Sequence, residues 1–332
     1  MTLPGLSLED ARTALSGVSA WVLTDGKAGD RVHCLGLAER LNLTIEERVI
    51  KPRALFAALM PWGPIDPREA PARAGSPIAP EFPDLVIASG RRAAPYLRAI
   101  KRASQGKTFT VFLKDPRSGA KTADFLWVPA HDRLRGPNVM TTLTSPHRLS
   151  PEVLAQARIR PAPFGDQPFT ALLMGGNSKD MRFTSDDEAR LLSALETLLN
   201  TGARIHGTPS RRTPPILAAK LGAMIRASGG FFWDGKGENP YLALLARAEA
   251  FIVTAESVNM LGEAVATGKP VFVFHPTGGA RKIAGFLATL YEKGALQPFD
   301  GRLQSFTYEP IDATPLIATE LARRFMEYRS RS

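Results

Sequence analysis

The chain has 332 residues, 44% of them hydrophobic and 22% charged, with a formal net charge of +10. That length accommodates two globular domains with real cores, and no apolar run approaches the roughly 18 residues a spanning helix needs. The opening MTLPGLSLEDARTALSG lacks a basic segment leading into an apolar one, so no secretory leader is expected. A single cysteine, Cys34, excludes a disulfide framework and a Cys-rich metal cluster, and fits a reducing cytoplasm.

The charge is uneven: residues 1–165 carry a net +8 and residues 166–332 a net +2. A basic first half points to an anionic partner, either a phosphate-bearing ligand or a membrane surface, with an ordinary arginine-rich surface as the plain alternative. Nucleic acid is not expected, because the basic residues are not interleaved with stacking aromatics.

Short β-rich runs alternate with helical segments along the whole chain, which predicts an α/β fold of open, mostly parallel sheets. The first run, AWVLTD (20–25), leads into GKAGDRVHCLGLAERL. Asp25 ends the strand, Gly26 and Gly29 form a glycine loop, and Asp30 is placed to cap the helix that follows. Cys34, Leu37, Ala38 and Leu41 share that helix's buried face, so Cys34 reads as structural. His33 and Asp25 are the general-base candidates of this half; Asp25 reads equally well as a turn-stabilising carboxylate.

EERVI (46–50) precedes PRALFAALMPWG (52–63), whose Leu55, Phe56, Leu59, Met60 and Trp62 lie beside Lys51 and Arg53. Such a stripe is more often core than interface, but an interfacial position with its basic side toward lipid headgroups stays open. The proline-rich residues 60–83 are expected as a long surface loop. DLVIAS (84–89), TFTVFLK (108–114) and DFLWVP (124–129) follow as strands, the near-continuous apolar ones being central. Ser89, Gly90 and Arg91 at one strand end and Asp115 at another are candidate lining residues; Asp115 before Pro116 also reads as a turn initiator.

Residues 151–169 are expected to be a linker and hinge, a helical turn running into Pro and Gly. The second half repeats the pattern with FTALLMG (169–175), ARIHGT (203–208), FFWD (231–234), AFIVTA (250–255) and PVFVF (270–274). After the first of these, Gly175, Gly176, Asn177 and Ser178 would let backbone amides approach a phosphate, or form a plain turn. After the second, Ser210, Arg211, Arg212 and Thr213 put two guanidinium forks and two hydroxyls in one loop, suited to a diphosphate.

IVTAESVNMLGEAVATGKPVFVF (252–274) is not a phosphate loop, since Gly262 and Gly268 are too far apart and Pro270 follows Lys269. Ser257 is placed to N-cap a short helix with Val258, Leu261 and Val265 inward. Asn259 and Glu263 share one face, where Glu263 would accept two hydroxyls of a ribose; a solvated side chain is the plain reading. No zinc pattern and no Asp-x-Asp pair occurs, so no metal is expected, and a departing diphosphate would be carried by Arg211, Arg212 and helix N-termini. The last segment, ATPLIATELARRFMEYRS (313–330), is an amphipathic helix expected to return to the first domain.

TDGKAGD, SGRRAAP, KDPR, GGNSKDMRF and TPSRRTP together resemble the "elongated mitochondria" mitochondrial-fission family, whose bacterial members are described as glycosyltransferases; the resemblance spans roughly residues 20–290. GGNS, SRRT and residues 239–274 also resemble the nucleotide-sugar half of two-domain glycosyltransferases of the B architecture. That resemblance implies two Rossmann-like domains facing a cleft: residues 1–155 on the acceptor side, 163–312 holding the donor, and 313–332 returning to the first domain. It implies that Glu263 binds the donor ribose and that Gly175–Ser178 and Ser257–Asn259 hold phosphate or sugar; Ser210 and Thr213 join the donor-binding set by their place in the arginine loop. The arginine pair has no exact counterpart in that pattern; by charge and placement alone Arg211 and Arg212 would be catalytic with Asp25, while Gly26, Gly29, His33, Ser89, Gly90, Arg91 and Asp115 would face the acceptor. Relatives are expected to carry glutamine where LKDPR has Lys114, so Lys114 is assigned no special role.

The expected activity is metal-independent transfer of a sugar from a nucleotide-diphosphate sugar to a cell-envelope or lipid-linked acceptor. The expected location is cytoplasmic, with peripheral contact to the inner face of an anionic membrane open through the basic first domain. A nucleotide-sugar epimerase or hydrolase on the same fold, or a non-catalytic adaptor retaining the cleft, are the alternatives.

Overall fold

The computed structural model describes residues 6–178, 181–278 and 281–331. They form two compact units, residues 1–148 with 313–332, and residues 149–312.

The first unit is a six-stranded parallel sheet. Its strands are β1 (Ser19–Thr24), β2 (Thr44–Val49), β3 (Leu85–Ser89), β4 (Phe109–Leu113), β5 (Phe125–Pro129) and β6 (Val139–Thr142), in the order β2-β1-β3-β4-β5-β6. β3, β4 and β5 are buried at every position, as their unbroken apolar runs require of strands covered on both faces. β2, at the edge, reads TIEERV and exposes its charges, which discourages pairing with another chain. β6 escapes the sequence reading because VMTT is short and only partly buried.

Helix α1 (Leu8–Ala14), helix α2 (Ala28–Arg40) and the C-terminal helix cover one face. Cys34, Leu37, Ala38 and Leu41 pack there as expected, and burial pushes the Cys34 thiol far up. On the opposite face, after the short helix α3 (Ala54–Leu59), helix α4 (Ala94–Ala103) brings Tyr96, Leu97 and Ile100 against Trp21, Leu23 and Phe112. The proline-rich residues 60–83 are not a detached surface loop: Met60 and Ile78 are fully buried in this core. Asp66 pins the segment, accepting from the Arg53 guanidinium at 2.8 Å and from the backbone N–H groups of Arg53 and Arg68 at 3.0 Å.

The second unit begins with α5 (Pro151–Ile159), which packs on α8 (Tyr241–Arg247). The linker expected at 151–169 therefore opens with a structural helix, and the first unit's leading segment ends at Arg148 instead of residue 155. A second six-stranded parallel sheet follows. It contains β7 (Thr170–Met174), β8 (Ile205–Pro209), β9 (Phe231–Phe232), β10 (Ala250–Thr254), β11 (Val271–Phe274) and β12 (Leu296–Pro298), in the order β12-β11-β10-β7-β8-β9. β12 was invisible in sequence because three residues ending on proline make no strand pattern; an edge is where such a strand is tolerated. Helices α6 (Ser185–Leu199), α7 (Pro215–Ala227), α9 (Val258–Val265) and α10 (Arg281–Glu292) complete the unit. The C-terminal helix α11 (Thr314–Arg329) belongs to the first unit, where Ile317, Leu321 and Phe325 join the core beside α2.

Candidate functional site

In an open parallel sheet every strand delivers its C-terminal end to one edge, and ligand-binding groups collect there. In the first unit the adjacent ends of β1, β3 and β4 bring together Asp25, Ser89, Gly90 and Lys114. The Asp25 side chain is 2% exposed; its Oδ2 accepts from Lys27 Nζ at 2.6 Å and lies 3.8 Å from Arg92. Its Oδ1 is buried with no hydrogen-bond partner among the described residues.

Asp30 does not cap α2. The helix starts at Ala28, behind Lys27, and Asp30 instead accepts from Ser89 Oγ at 2.9 Å and Lys114 Nζ at 2.8 Å. Burial pushes the Asp30 carboxyl up, but the Lys114 ammonium, with the Ser89 hydroxyl and His33, more than offsets it and holds the group below its ordinary range. Lys114 adopts φ +78, a conformation costly for a side-chain-bearing residue. It therefore has the defined role that the sequence reading withheld. Gly90, at φ +93, lets both acids close in: a Cβ there would sit 3.0 Å from Asp30 Oδ2 and 3.6 Å from Asp25 Oδ1.

The remaining first-unit candidates divide. Gly26 makes the turn at φ +82, its N–H on Thr24 Oγ1 at 3.2 Å, whereas Gly29 lies in the first turn of α2 instead of a loop. His33 does not face a ligand; it is 2% exposed, edge-on to Trp127 at 6.3 Å. Arg91 is exposed and reaches the Ala57 carbonyl at 3.5 Å, so Arg92 is the arginine that faces Asp25. Asp115 is exposed and accepts from the Arg117 N–H at 2.8 Å, a turn carboxylate.

In the second unit the ends of β10, β7 and β8 are adjacent, and the Gly175–Ser178 turn sits between the other two. Its amides are not free for a phosphate. Gly175 N–H donates to Thr254 Oγ1 at 2.8 Å, Gly176 N–H to Glu256 Oε1 at 2.5 Å, Asn177 N–H to the Arg212 carbonyl at 3.0 Å, and Ser178 N–H to the Met181 carbonyl at 2.8 Å. The turn is built around a carboxylate of its own chain: a Cβ on Gly175 would lie 1.9 Å from Glu256 Oε1.

Ser210 and Thr213 serve the same scaffold, both donating to the Gly175 carbonyl, Ser210 at 2.8 Å. That leaves Arg211 and Arg212 exposed on the loop, and neither has an ion-pair partner among the described residues. Thr254 Oγ1 lies 2.8 Å from Glu256 Oε1, and the second oxygen, Oε2, is buried with no partner among the described residues. Glu256 is 6% exposed, and its burial raises the carboxyl above the ordinary range despite the hydroxyl, the amides and Arg212.

Ser257 precedes α9 as expected, but its side chain is buried and makes no capping bond; Asn259 is exposed. Glu263 is half-buried and accepts from the Tyr241 hydroxyl; burial pushes its carboxyl up to about 7, with the Tyr241 bond holding it partly down. The sequence reading missed Glu256, Lys114 and Arg92. For Glu256 one signal was present, a glutamate two residues beyond a strand with no exposed position. Among the described residues no cluster of three His, Cys, Asp or Glu side chains is placed to hold a metal ion. Nor is any helix among them long and apolar enough to cross a membrane.

Two Rossmann-like units, each with polar groups gathered at its strand ends, define the B architecture of glycosyltransferases. The structure is similar to the UDP-GlcNAc 2-epimerase from Methanocaldococcus jannaschii, with a TM-score of 0.52 and 12% identity over 93% of this chain and 99% of that one. It is also similar to Arabidopsis thaliana UGT89C1 complexed with quercetin, with a TM-score of 0.51 and 13% identity over 95% of this chain and 94% of that one. At such identities the likeness is one of fold. The family model described as "Mitochondrial fission ELM1" matches residues 28–325, and the chain belongs to that family. It is 29% identical over 275 residues to the Mitochondrial fission protein ELM1 of Arabidopsis thaliana, an alignment covering 73% of this chain and 64% of that protein. The chain thus spans just under two thirds of that relative's length.

Proposed function

We propose that the chain is a metal-independent glycosyltransferase that takes a sugar from a nucleotide-diphosphate sugar held by the second unit. The observation that carries the reading is the Arg211–Arg212 loop, exposed and without an ion pair among the described residues, beside a carboxyl-bearing strand end. Two guanidinium forks supply the charge that a diphosphate needs, on binding and on departure. With the backbone amides of the Gly175 turn already engaged, the arginines bear that task. Glu263, on α9, accepts ribose hydroxyls through the oxygen that Tyr241 leaves free.

The first unit takes the acceptor, a cell-envelope or lipid-linked glycan precursor. Asp25 has the form of a base: a buried carboxylate whose Oδ1 awaits a donor and whose Oδ2 is steadied by Lys27. In an inverting transfer Oδ1 accepts the acceptor's hydroxyl proton as the glycosidic bond forms and the nucleotide diphosphate leaves. Around α3, Leu55, Leu59 and Trp62 are 70%, 51% and 69% exposed beside Lys51 and Arg53. Exposed apolar side chains next to Lys51, with Arg53 held by Asp66, suit peripheral contact with an anionic membrane, where a lipid-linked acceptor resides.

The test is thermal denaturation with UDP, GDP, CMP, dTDP and ADP, with and without magnesium. One nucleotide at 100 times its Kd raises stability by about 2.7 kcal/mol. The shift is expected to be independent of magnesium and lost in Glu263→Ala. No shift with any nucleotide overturns the reading.

A further inference from the structure

Beyond the loop that carries the arginines, the second unit holds a cavity of about 340 Å³ whose lining includes Met181, Glu256, His275, Ile283, Leu287 and Tyr291. Its walls come from the ends of β10 and β11 and from α10. The β11 end is firmly held. Asp187 of α6 accepts from the Thr277 N–H at 2.8 Å and hydroxyl at 2.7 Å, and Arg190 donates to the His275 carbonyl at 2.9 Å. His275 Nε2 and the Tyr291 hydroxyl are 2.7 Å apart with stacked rings. Burial lowers the His275 pKa and pushes the Tyr291 hydroxyl up to about 12, so both are uncharged near neutrality.

We propose that this cavity receives the transferred sugar ring itself, and that Glu256 is the residue that selects it by reading one of its hydroxyls through Oε2. The proposal rests on the nucleotide-sugar reading above. Its ground is the fixing of one carboxylate. Oε1 is held from two sides, by Gly176 N–H and Thr254 Oγ1, and the Cβ-free Gly175 makes room for it. Oε2 is left buried and, among the described residues, unpartnered in a residue that lines the cavity. A buried oxygen without a partner is costly unless a ligand supplies one.

The rest of the lining fits a pyranose. The alkyl side chains of Ile283 and Leu287 face its C–H surface, and the neutral His275–Tyr291 pair offers hydrogen bonds without charge. Position separates a sugar from a base. Glu256 is tied to the Gly175–Gly176 turn, and the next residue of that turn bonds the Arg212 backbone at 3.0 Å. The Arg212 charge also acts on Glu256 itself, which suits a ring attached directly to the phosphate better than a base, which lies a ribose further away.

The experiment is calorimetric titration of the full chain with matched pairs: UDP and UDP-N-acetylglucosamine, GDP and GDP-mannose, ADP and ADP-glucose. Wild type, Glu256→Gln and Ala288→Phe are compared, the last filling the cavity from an exposed position of α10 so that folding is spared. For the nucleotide that binds, Glu256→Gln is expected to weaken the sugar conjugate about tenfold, the worth of one hydrogen bond to a buried carboxyl, and Ala288→Phe to weaken it at least as much by taking the space of the ring. In Ala288→Phe the parent diphosphate should bind with unchanged affinity. Equal loss for conjugate and parent there assigns the cavity to the nucleoside and overturns the proposal. So does an unchanged conjugate in both variants, with the proposed function left standing. If no nucleotide binds wild type, both fall.

Discussion

At the strand ends of the first unit, acids meet cations: Asp25 has Lys27 and Arg92, and Asp30 has Lys114. At the strand ends of the second, acids meet hydroxyls and amides: Glu256 has Thr254 and Gly176, and Glu263 has Tyr241. Both sheets are six-stranded and parallel, though their strand orders differ, and the electrostatic outcome is opposite. Asp30 is held ionised below its ordinary range, while Glu256 and Glu263 are driven toward the protonated form. Neighbouring cations keep the first unit's Asp30 charged, whereas the raised carboxyls of the second unit suit neutral, hydroxyl-rich ligands.

The contrast breaks most sharply at Lys114. Lys114→Met strands a buried Asp30 carboxylate, and a loss of about 2–3 kcal/mol is expected, below the 3–5 of a fully dry pair because Lys114 is partly exposed. Chemical denaturation measures it, and adding Asp30→Asn should restore most of the loss. Recovery fails if the lysine matters only through its left-handed backbone. The wild-type pair contributes stability above the ordinary aspartate range that is lost as pH falls through the lowered value.

In the second unit Gly175→Ala drives a methyl group into Glu256 Oε1, at a cost of about 2 kcal/mol. The cost should shrink in a Glu256→Ala background, and equal costs in the two backgrounds would locate the strain elsewhere. Glu263 sharpens the comparison through pH. Its proton is held to about 7 in the folded chain, against about 4.3 when unfolded. The native state thus binds more protons between those values. Stability should decline as pH rises through that window and level off above it, by about 3–4 kcal/mol in all. Glu263→Gln should remove the slope. The smallest effect belongs to the exposed patch: Trp62→Ser should change stability by less than about 0.5 kcal/mol while reducing sedimentation with anionic vesicles.

Sequence showed the two sheets well wherever strands were long and unbroken, as in DLVIAS and AFIVTA, because a strand covered on both faces must be apolar throughout. It showed the buried face of α2, which is set by helical spacing. It could not show which of two adjacent arginines turns toward Asp25, since that depends on the exact exit of the chain from β3. Nor could it pair Asp30 with Lys114, 84 positions apart. The Gly175 turn illustrates the deeper difficulty. Its composition was legible as a cradle for an anion, and the anion proved to be Glu256, supplied by a neighbouring strand.

The return of α11 bears on the order in which the chain is made. Ile317, Leu321 and Phe325 complete a core begun by Ala11 and Leu15, so a nascent chain emerging from the ribosome holds that core open until its last helix appears. The second unit, contiguous from Leu149 to Asp312, has every residue it needs first. A later-encoded domain thus finishes ahead of an earlier one, and throughout that interval the first unit's uncovered helix face is what a chaperone would meet.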